Sequence, residues 1–406
     1  MDLIIRNALV YGPGKKKLDI GVRGERIVRI SPRIKESGRR EIDAEGGLTF
    51  PGFVDPHVHM DKCLLINRLG DQRDFAALEK RISGMRQLKG SFTREDVKTR
   101  ILQACRMAAF HGTLTTRTHV EADPIVKFKC VEGALDAKKT CHEFIDLQTI
   151  AFPQEGWRKN RSGSELESRP YIIEAMERGM DVVGGNVNRT IWDTEPEEQV
   201  DDLFEIARKR KADIDMHLDN SDNPTAFTIP YVARKTIERG FQGRVTVAHI
   251  PSLTAVPDRV ARRTIDLLKE AEINVCVLPN RIRLTRVKEL MEAGVNVTCG
   301  TDNMQDAFIG VGNGDMLNAL LLLAQVTSMG FDDQLEMIFR MGTVNAAKAL
   351  RIEKDYGIEE GKQADLVVLD ASSVPEAIRM QPCRRAVIKR GKLVVELGRW
   401  PRTEAT

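Results

Sequence analysis

The stretch LTFPGFVDPHVHMDK, residues 48–62, decides the fold of this chain. Its apolar run over residues 48–55 predicts a buried strand, and His57 and His59 follow at once. Residues two apart on a strand share a face, so both imidazoles should point the same way, with Cα atoms about 6.6–7 Å apart. Such a pair can bind one metal ion at about 2.0–2.1 Å. The alternative is two histidines satisfied by hydrogen bonds at a sheet edge.

Downstream of this stretch, seven more short apolar runs alternate with amphipathic, helix-length segments. The alternation is typical of a parallel sheet with crossover helices. The predicted strands are 113–120, 147–153, 181–186, 213–218, 244–250, 273–278 and 295–302. The predicted helices are 94–110, 127–141, 170–179, 197–211, 231–239, 257–272, 285–293 and 315–327. Eight strand-helix units predict a (β/α)8 TIM barrel over residues 51–355, with an open doubly wound sheet as the alternative.

Both ends of the chain have a different pattern, in which short strands are broken by turns. The predicted strands are 3–10, 18–22, 26–30 and 41–44 at one end, and 364–369, 383–389 and 393–397 at the other. Residues 1–50 and 356–406 are therefore predicted to be all-β and to lie outside the barrel.

The composition is that of a globular protein. Among 406 residues, 42% are hydrophobic and 30% are charged, and the net charge of +3 is too small to indicate a nucleic-acid or membrane partner. We expect a cytoplasmic protein, because no basic leader precedes a long apolar segment. The seven cysteines form no C-x-x-C pair, which favours reduced thiols over disulfides or a thiolate metal site.

Five of the seven histidines end a predicted strand, which is where a barrel of this kind carries its chemistry. His217 and His249 end the fifth and sixth strands, and Asp302 ends the eighth. Imidazole and carboxylate ligands suit Zn²⁺ or Fe²⁺, with Mn²⁺ as a third option. Dinuclear relatives of such an arrangement usually carry a bridging carboxylated lysine at the fourth strand, and no lysine occurs between Asn160 and Arg208. We therefore expect one divalent ion.

Seven motifs resemble the amidohydrolase superfamily, and more narrowly its cytosine deaminase-like branch. The motifs extend over nearly the whole chain: PGFVDPHVHMDK, TTRTHVEAD, AFPQEGW, IDMHLDN, RVTVAHI, GTDNMQDAF and YGIEEGKQADLVVL. The resemblance implies that both ends join into one small β-sandwich beside the barrel.

The resemblance also implies roles for the residues at the strand ends. His57, His59, His217 and Asp302 correspond to the metal ligands of the family, and Asp302 also accepts a proton from the attacking water. His249 corresponds to the histidine that polarises the hydroxide or the leaving group.

Three further residues correspond to substrate contacts. Gln154 matches the amide that reads the edge of the heterocycle, although it could instead order a loop. Phe308 falls where relatives place a stacking aromatic residue. Trp157 could also stack on the substrate, and packing within a lid is the alternative.

One position departs from the family pattern. Cytosine deaminases carry H-x-x-E at the fifth strand, whereas here the fourth residue is Asn220, which cannot shuttle a proton. At Lys62 and Asn303 the sequence is similar instead to that of the isopropylammelide-hydrolysing enzyme of that branch, which also lacks the glutamate. Lys62 could donate to the substrate ring or be a surface group. Asp219 and Asp222 are the other candidates to replace the missing acid.

These observations predict a metal-dependent hydrolase acting on carbon–nitrogen bonds other than peptide bonds. The resemblance favours a deaminase of cyclic amidines, in which metal-bound hydroxide removes an amino or alkylamino group from a pyrimidine or triazine. The expected partners are a small heterocyclic substrate and water, and we expect a homo-oligomer. Hydrolysis of a cyclic amide or an N-acyl group is the alternative, and a non-catalytic barrel subunit is a more distant one.

Overall fold

The structure is a computed structural model that describes residues 1–12, 14, 16–69, 78–158, 166–189, 196–221, 223–280 and 283–400. Within them the strands are β1 (Leu3–Val10), β2 (Lys17–Arg23), β3 (Arg26–Ser31), β4 (Arg40–Asp43), β5 (Leu48–Pro51), β6 (Phe53–Val58), β7 (Thr113–Glu121), β8 (Asp146–Phe152), β9 (Val182–Val187), β10 (Asp213–Leu218), β11 (Val245–His249), β12 (Asn274–Val277), β13 (Asn296–Cys299), β14 (Leu366–Leu369), β15 (Arg384–Lys389) and β16 (Lys392–Glu396).

The helices of the same residues lie mostly between the strands of the central part of the chain. They are α1 (Leu78–Gly90), α2 (Arg94–Phe110), α3 (Lys129–Cys141), α4 (Arg169–Glu177), α5 (Pro196–Arg210), α6 (Ile229–Glu238), α7 (Ser252–Ala255), α8 (Asp258–Glu270), α9 (Val287–Glu292), α10 (Met316–Val326), α11 (Asp332–Met341), α12 (Val344–Ala349) and α13 (Val374–Met380). Of these described helices, none has both the length and the apolar character needed to cross a membrane.

Strands β6 to β13 form one sheet in chain order, and every neighbouring pair is parallel. The two edges of the sheet meet where Val58 bridges Asp302 in parallel register. The sheet is thereby closed into a barrel, and at least one helix separates each pair of consecutive strands. The predicted (β/α)8 barrel is confirmed, and the open doubly wound alternative is wrong.

The two ends of the chain share a second sheet, as predicted. Its strand order is β16-β15-β14-β5-β1-β2-β3, with β4 paired to β1. Strand β1 pairs with β4 through its first half and with β5 through its second half, so the sheet forks and encloses a core of its own. The exact division into domains, 1–50 plus 356–406 and 51–355, stays a prediction.

The predicted first barrel strand, residues 48–55, is divided between the two sheets. Leu48–Pro51 pairs with β1 and β14 in the terminal sheet, whereas Phe53–Val58 is the first strand of the barrel. Gly52 makes the transition, and a Cβ there would lie 2.5 Å from Cδ1 of Leu114. The prediction of a single strand is wrong, because an apolar run does not indicate which sheet it joins.

The prediction that both ends are all-β is wrong at α13, Val374–Met380. The hydroxyl of Ser373 accepts a hydrogen bond from the backbone N–H of Glu376 at 3.2 Å, and Pro375 lies in the first turn. Serine followed by glutamate three residues later is a helix-start signal, so this helix could have been found in the sequence.

Lys389 of β15 joins the terminal sheet to the barrel. Its buried ammonium donates to the carbonyl of Leu114 at 2.9 Å and contacts Asp146 and Asp365 at 2.7 and 2.6 Å. Asp146 is the first residue of β8. The terminal sheet therefore contacts the amino-terminal end of the barrel and leaves the carboxyl ends of the strands to the site.

Candidate metal centre and substrate-binding residues

Five buried histidines meet at the carboxyl ends of the barrel strands. His57 and His59 come from β6 and the residue after it, His119 from β7, His217 from β10 and His249 from β11. The His57 ring lies 4.7 Å from the His217 ring, which lies 4.8 Å from the His249 ring, measured between centroids. The predicted convergence of strand-end histidines is present in the structure.

The ring nitrogens of three of these histidines are close enough together to bind one metal ion. The ligand atoms of His57, His59 and His217 lie within 4.8 Å of one another, and Nε2 of His59 is 3.1 Å from Nε2 of His217. An oxygen of Asp302 lies 3.7 and 3.6 Å from Nε2 of His57 and His59. Ligands held tetrahedrally at about 2.0–2.1 Å from one ion are about 3.3–3.4 Å apart, which is close to these separations.

The hydrogen bonds that close the barrel also position Asp302. Its backbone N–H donates to the carbonyl of His57 at 2.8 Å, and the N–H of His59 donates to the carbonyl of Asp302 at 3.0 Å. Asp302 has a φ of +62°, in the left-handed region. Such a conformation costs about 1–3 kcal/mol in a residue other than glycine. The carboxylate is therefore held beside two imidazoles by main-chain contacts.

The chemistry of this donor set fits one divalent metal ion. Burial, followed by the nearby histidines, lowers the pKa of His217 well below its ordinary value of 6.5, so its ring is neutral and keeps a lone pair. Nδ1 of His217 is buried and has no hydrogen-bond partner among the described residues. Neutral imidazoles together with a carboxylate are ligands that divalent transition metals accept.

A second group of ligand atoms, from His57, His119 and Asp215, has similar spacing. There, however, Nη1 of the buried Arg117 lies 3.1 Å from Asp215. A divalent cation beside a buried guanidinium would be repelled by it, so the first group is the better cation site. His119 lies in the motif TTRTHVEAD and had no predicted role. The structure places it 4.1 Å from His57, ring to ring, and 3.4 Å from Asp215.

Gly300 is a position where one added methyl group should disturb the centre. A Cβ there would lie 2.8 Å from both the Cβ and the main-chain oxygen of His57. We expect Gly300→Ala to displace His57 and to weaken metal binding by about 10–100-fold, measured by competition with a chelator. Gly330→Ala is the matched control, because a Cβ at Gly330 meets nothing within 4 Å. Equal metal affinity in the two variants would contradict the expectation.

His249 lies next to the metal-ligand group but belongs to neither set of ligand atoms. It is 6% exposed, and its φ of +72° is in the left-handed region. The residue is thus held at the end of β11 in a strained conformation, with its ring 5.6 Å from that of His57. This position suits a side chain that acts on the substrate rather than on the ion.

Lys62 is buried, at 2% exposure, so the alternative of a surface lysine is excluded. Its Nζ donates to Oε1 of Glu121 at 3.0 Å and to Oε1 of Gln154 at 2.7 Å. It also lies 5.4 and 5.7 Å from the ring centroids of Phe308 and Phe152. The structure therefore brings together three residues that the sequence analysis had selected separately, Lys62, Gln154 and Phe308.

The remaining predicted residues lie in different surroundings. Asn303 is buried, and its amide donates to Asp306. Asn220 is exposed just after β10. Trp157 is 1% exposed and donates to Asp202 of α5 at 2.9 Å, which favours the packing alternative over contact with a substrate.

Asp219 and Asp222 were the two carboxylates that could replace the missing glutamate, and the structure describes only Asp219. The same oxygen of Asp219 accepts hydrogen bonds from the backbone N–H groups of Thr228 and Ile229, where α6 begins. Burial raises the pKa of this carboxyl to about 7, against the opposing effect of those bonds. Asp219 is thus engaged in holding a helix start. Asp222 lies outside the described residues.

Comparisons with known proteins agree with this geometry. A family model described as "Amidohydrolase family" matches residues 87–395. The N-isopropylammelide isopropyl amidohydrolase of Pseudomonas sp. (strain ADP) is 37% identical over 97% of each chain. A crystal structure of 5-methylcytosine deaminase from Klebsiella pneumoniae has a TM-score of 0.89 and 28% identity, and covers 99% of this chain and 98% of that one. N-isopropylammelide isopropylaminohydrolase from Burkholderia multivorans has a TM-score of 0.87 and 27% identity, with coverage of 98% and 99%.

Proposed function

Because this chain belongs to the amidohydrolase family, we propose that it hydrolyses the bond between a ring carbon and an exocyclic amino or alkylamino group of a small nitrogen heterocycle. Relatives named for N-isopropylammelide and 5-methylcytosine support a triazine or pyrimidine as that heterocycle. The observation that carries the proposal is the group of His57, His59, His217 and Asp302 at the barrel mouth. The ring of Phe152, two residues before Gln154, lies 4.5 Å from that of His217.

The metal ligands in this proposal are His57, His59, His217 and Asp302, and the ion is Zn²⁺ or Fe²⁺, with Mn²⁺ as a third option. An ion held by these groups would lower the pKa of a bound water far below its ordinary value, to about 7, and would so supply a nucleophile at neutral pH. The barrel contributes the fixed positions of the ligands, because three of the four are anchored where β6 and β13 meet.

Two residues move or hold protons. Asp302 accepts a proton from the attacking water on a carboxylate oxygen and later delivers it to the departing nitrogen. His249 donates a hydrogen bond to the oxygen on which negative charge develops when the ring carbon becomes tetrahedral. Water thereby adds its oxygen to the ring carbon, the C–N bond breaks, and the amine leaves with the transferred hydrogen. Asp302 performs this transfer without the glutamate that Asn220 replaces, since Asn220 cannot shuttle a proton.

A release assay tests the proposed function. The metal-reconstituted enzyme is incubated with aminopyrimidines, aminotriazines, pterins and cyclic ureas, and both free amine and newly formed carboxylate are quantified. We expect stoichiometric release of ammonia or an alkylamine without a new carboxylate. A carboxylate formed without amine would support ring opening of a cyclic amide, and no turnover on any compound would contradict the proposal.

A further inference from the structure

The contact between Lys62 and Gln154 fixes which end of the glutamine amide faces Lys62 and which end is left for another partner. A lysine ammonium has three donors and no acceptor, so only the amide oxygen of Gln154 can bond to it. That oxygen lies 2.7 Å from Nζ of Lys62. The usual ambiguity between the oxygen and the nitrogen of a glutamine is therefore removed by charge. The Gln154 nitrogen donates to no acceptor among the described residues and remains available to a ligand.

Lys62 cannot turn away, because a buried network of charges holds it. One oxygen of Glu121 accepts from Lys62, and the other accepts from Lys89 at 2.8 Å. Lys89 of α1 also bonds to Asp123 at 2.8 Å and pairs with Glu155, the neighbour of Gln154 in the chain. Lys89 is 1% exposed. This single ammonium thus anchors both Glu121, the partner of Lys62, and the side chain of Glu155, the residue after Gln154.

Phe152 contacts both the pair and one of the candidate metal ligands. The ring of Phe152 is 4.5 Å from the ring of His217 and 5.7 Å from Nζ of Lys62. The partly exposed ring of Phe308 lies 5.4 Å from Nζ of Lys62. A heterocycle whose reacting carbon is at the histidine group would place its remote edge at Gln154.

We propose that Lys62 is a positioning residue that locks the Gln154 amide with its N–H₂ group toward the heterocycle. The site then selects rings that present an acceptor, an oxo oxygen or a bare ring nitrogen, on the edge remote from the leaving group. A ring with an amino group at that edge would bring two donors face to face and leave both without acceptors. This inference rests on the proposed function, and it assigns to Lys62 the selection of rings that present an acceptor at that edge.

The same geometry argues against proton donation by Lys62. Two of its three N–H groups are engaged by Glu121 and Gln154, and its side chain is buried. Burial disfavours its charged form, but Glu121 and neighbouring carboxylates raise the pKa of Lys62 above the ordinary value. The ammonium keeps its proton, as a positioning cation must.

The test compares two aminotriazines that differ only at the remote edge, one with two oxo groups and one with an oxo and an amino group. For the wild-type enzyme we expect kcat/KM to favour the dioxo ring by at least about 100-fold. In Lys62→Met the amide can rotate, so the preference should fall below about 10-fold while metal content stays unchanged. In Gln154→Glu the carboxylate pairs with Lys62 and offers only acceptors, so the preference should reverse. Lys209→Met, at an exposed lysine of α5, is the matched control and should keep the wild-type preference.

Two results would overturn the inference. One is a wild-type enzyme without preference for the dioxo ring. The other is a Lys62→Met enzyme that is slower on both rings equally, because that would make Lys62 part of the chemistry rather than of recognition.

Calorimetry with trioxotriazine, which has no amine to lose, separates this inference from the proposed function. Suppose that trioxotriazine binds to the metal-loaded wild-type enzyme and not to Gln154→Glu. This result supports recognition of the ring's acceptors by the Gln154 amide even if no ring releases amine. Undiminished binding by Gln154→Glu contradicts it even if amine release is observed.

Discussion

His249→Gln is expected to lower kcat by about 10²–10³-fold while the enzyme keeps its full metal content. His249 approaches the metal ligands, with its ring 4.8 Å from that of His217, yet it is in neither group of ligand atoms. Glutamine neither places an N–H where the imidazole ring does nor carries the positive charge that an imidazole can. The loss should therefore appear in turnover, measured by amine release, and not in elemental analysis.

The matched control for this variant is His142→Gln, because His142 is a histidine with a 61% exposed side chain that is remote from the barrel mouth. It should behave as the wild-type enzyme in both measurements. If His249→Gln also lost the metal, His249 would be a ligand. If its turnover stayed near the wild-type rate, the residue would have no role in the chemistry.

Asp302→Ala should abolish metal retention and activity together, with at least the loss of about 10²–10⁴-fold that removing a proton-transfer group causes. The carboxylate lies 3.6 Å from Nε2 of His59 and 3.7 Å from that of His57, and main-chain hydrogen bonds hold it there. Alanine removes a ligand and a base at once. The measurements are bound metal per chain and the rate of amine release.

A second variant separates the two roles of this carboxylate. Asp302→Asn keeps a ligand oxygen and the size of the side chain, but it cannot accept a proton as readily. We expect Asp302→Asn to retain more metal than Asp302→Ala and to be comparably inactive. An Asp302→Asn enzyme with wild-type turnover would exclude proton transfer by this residue, and an Asp302→Ala enzyme with full metal content would exclude ligation.

The barrel was predictable because its signal is local and repeated. Each barrel strand is a short apolar run, and residues such as 213–218 were predicted with the bounds that β10 has in the structure. The division at Gly52 was not predictable, since it depends on contact with Leu114, more than sixty residues away. Helix α13 was missed although Ser373 and Glu376 signalled it, because strand patterns surround it on both sides.

The candidate metal ligands were predictable from their position after strands, because a parallel barrel brings all its strand ends to one face. The buried charges that hold Lys62 and Gln154 in place were not predictable from the sequence. Lys89 lies on α1 and meets Glu121 of β7 only through the fold, so no periodicity or motif connects them. Lys62 was selected from its neighbourhood in the sequence, but its bond to Gln154 joins positions more than ninety residues apart. Such pairings require coordinates.

The most direct test of the account is the number of transition-metal ions per chain in the active enzyme, determined by elemental analysis after removal of loosely bound metal. We expect one ion per chain. Chelation should remove the ion and the activity in parallel, and reconstitution with metal should restore both. An active preparation that contains no divalent transition metal would contradict the convergence of His57, His59, His217 and Asp302 on a common ion.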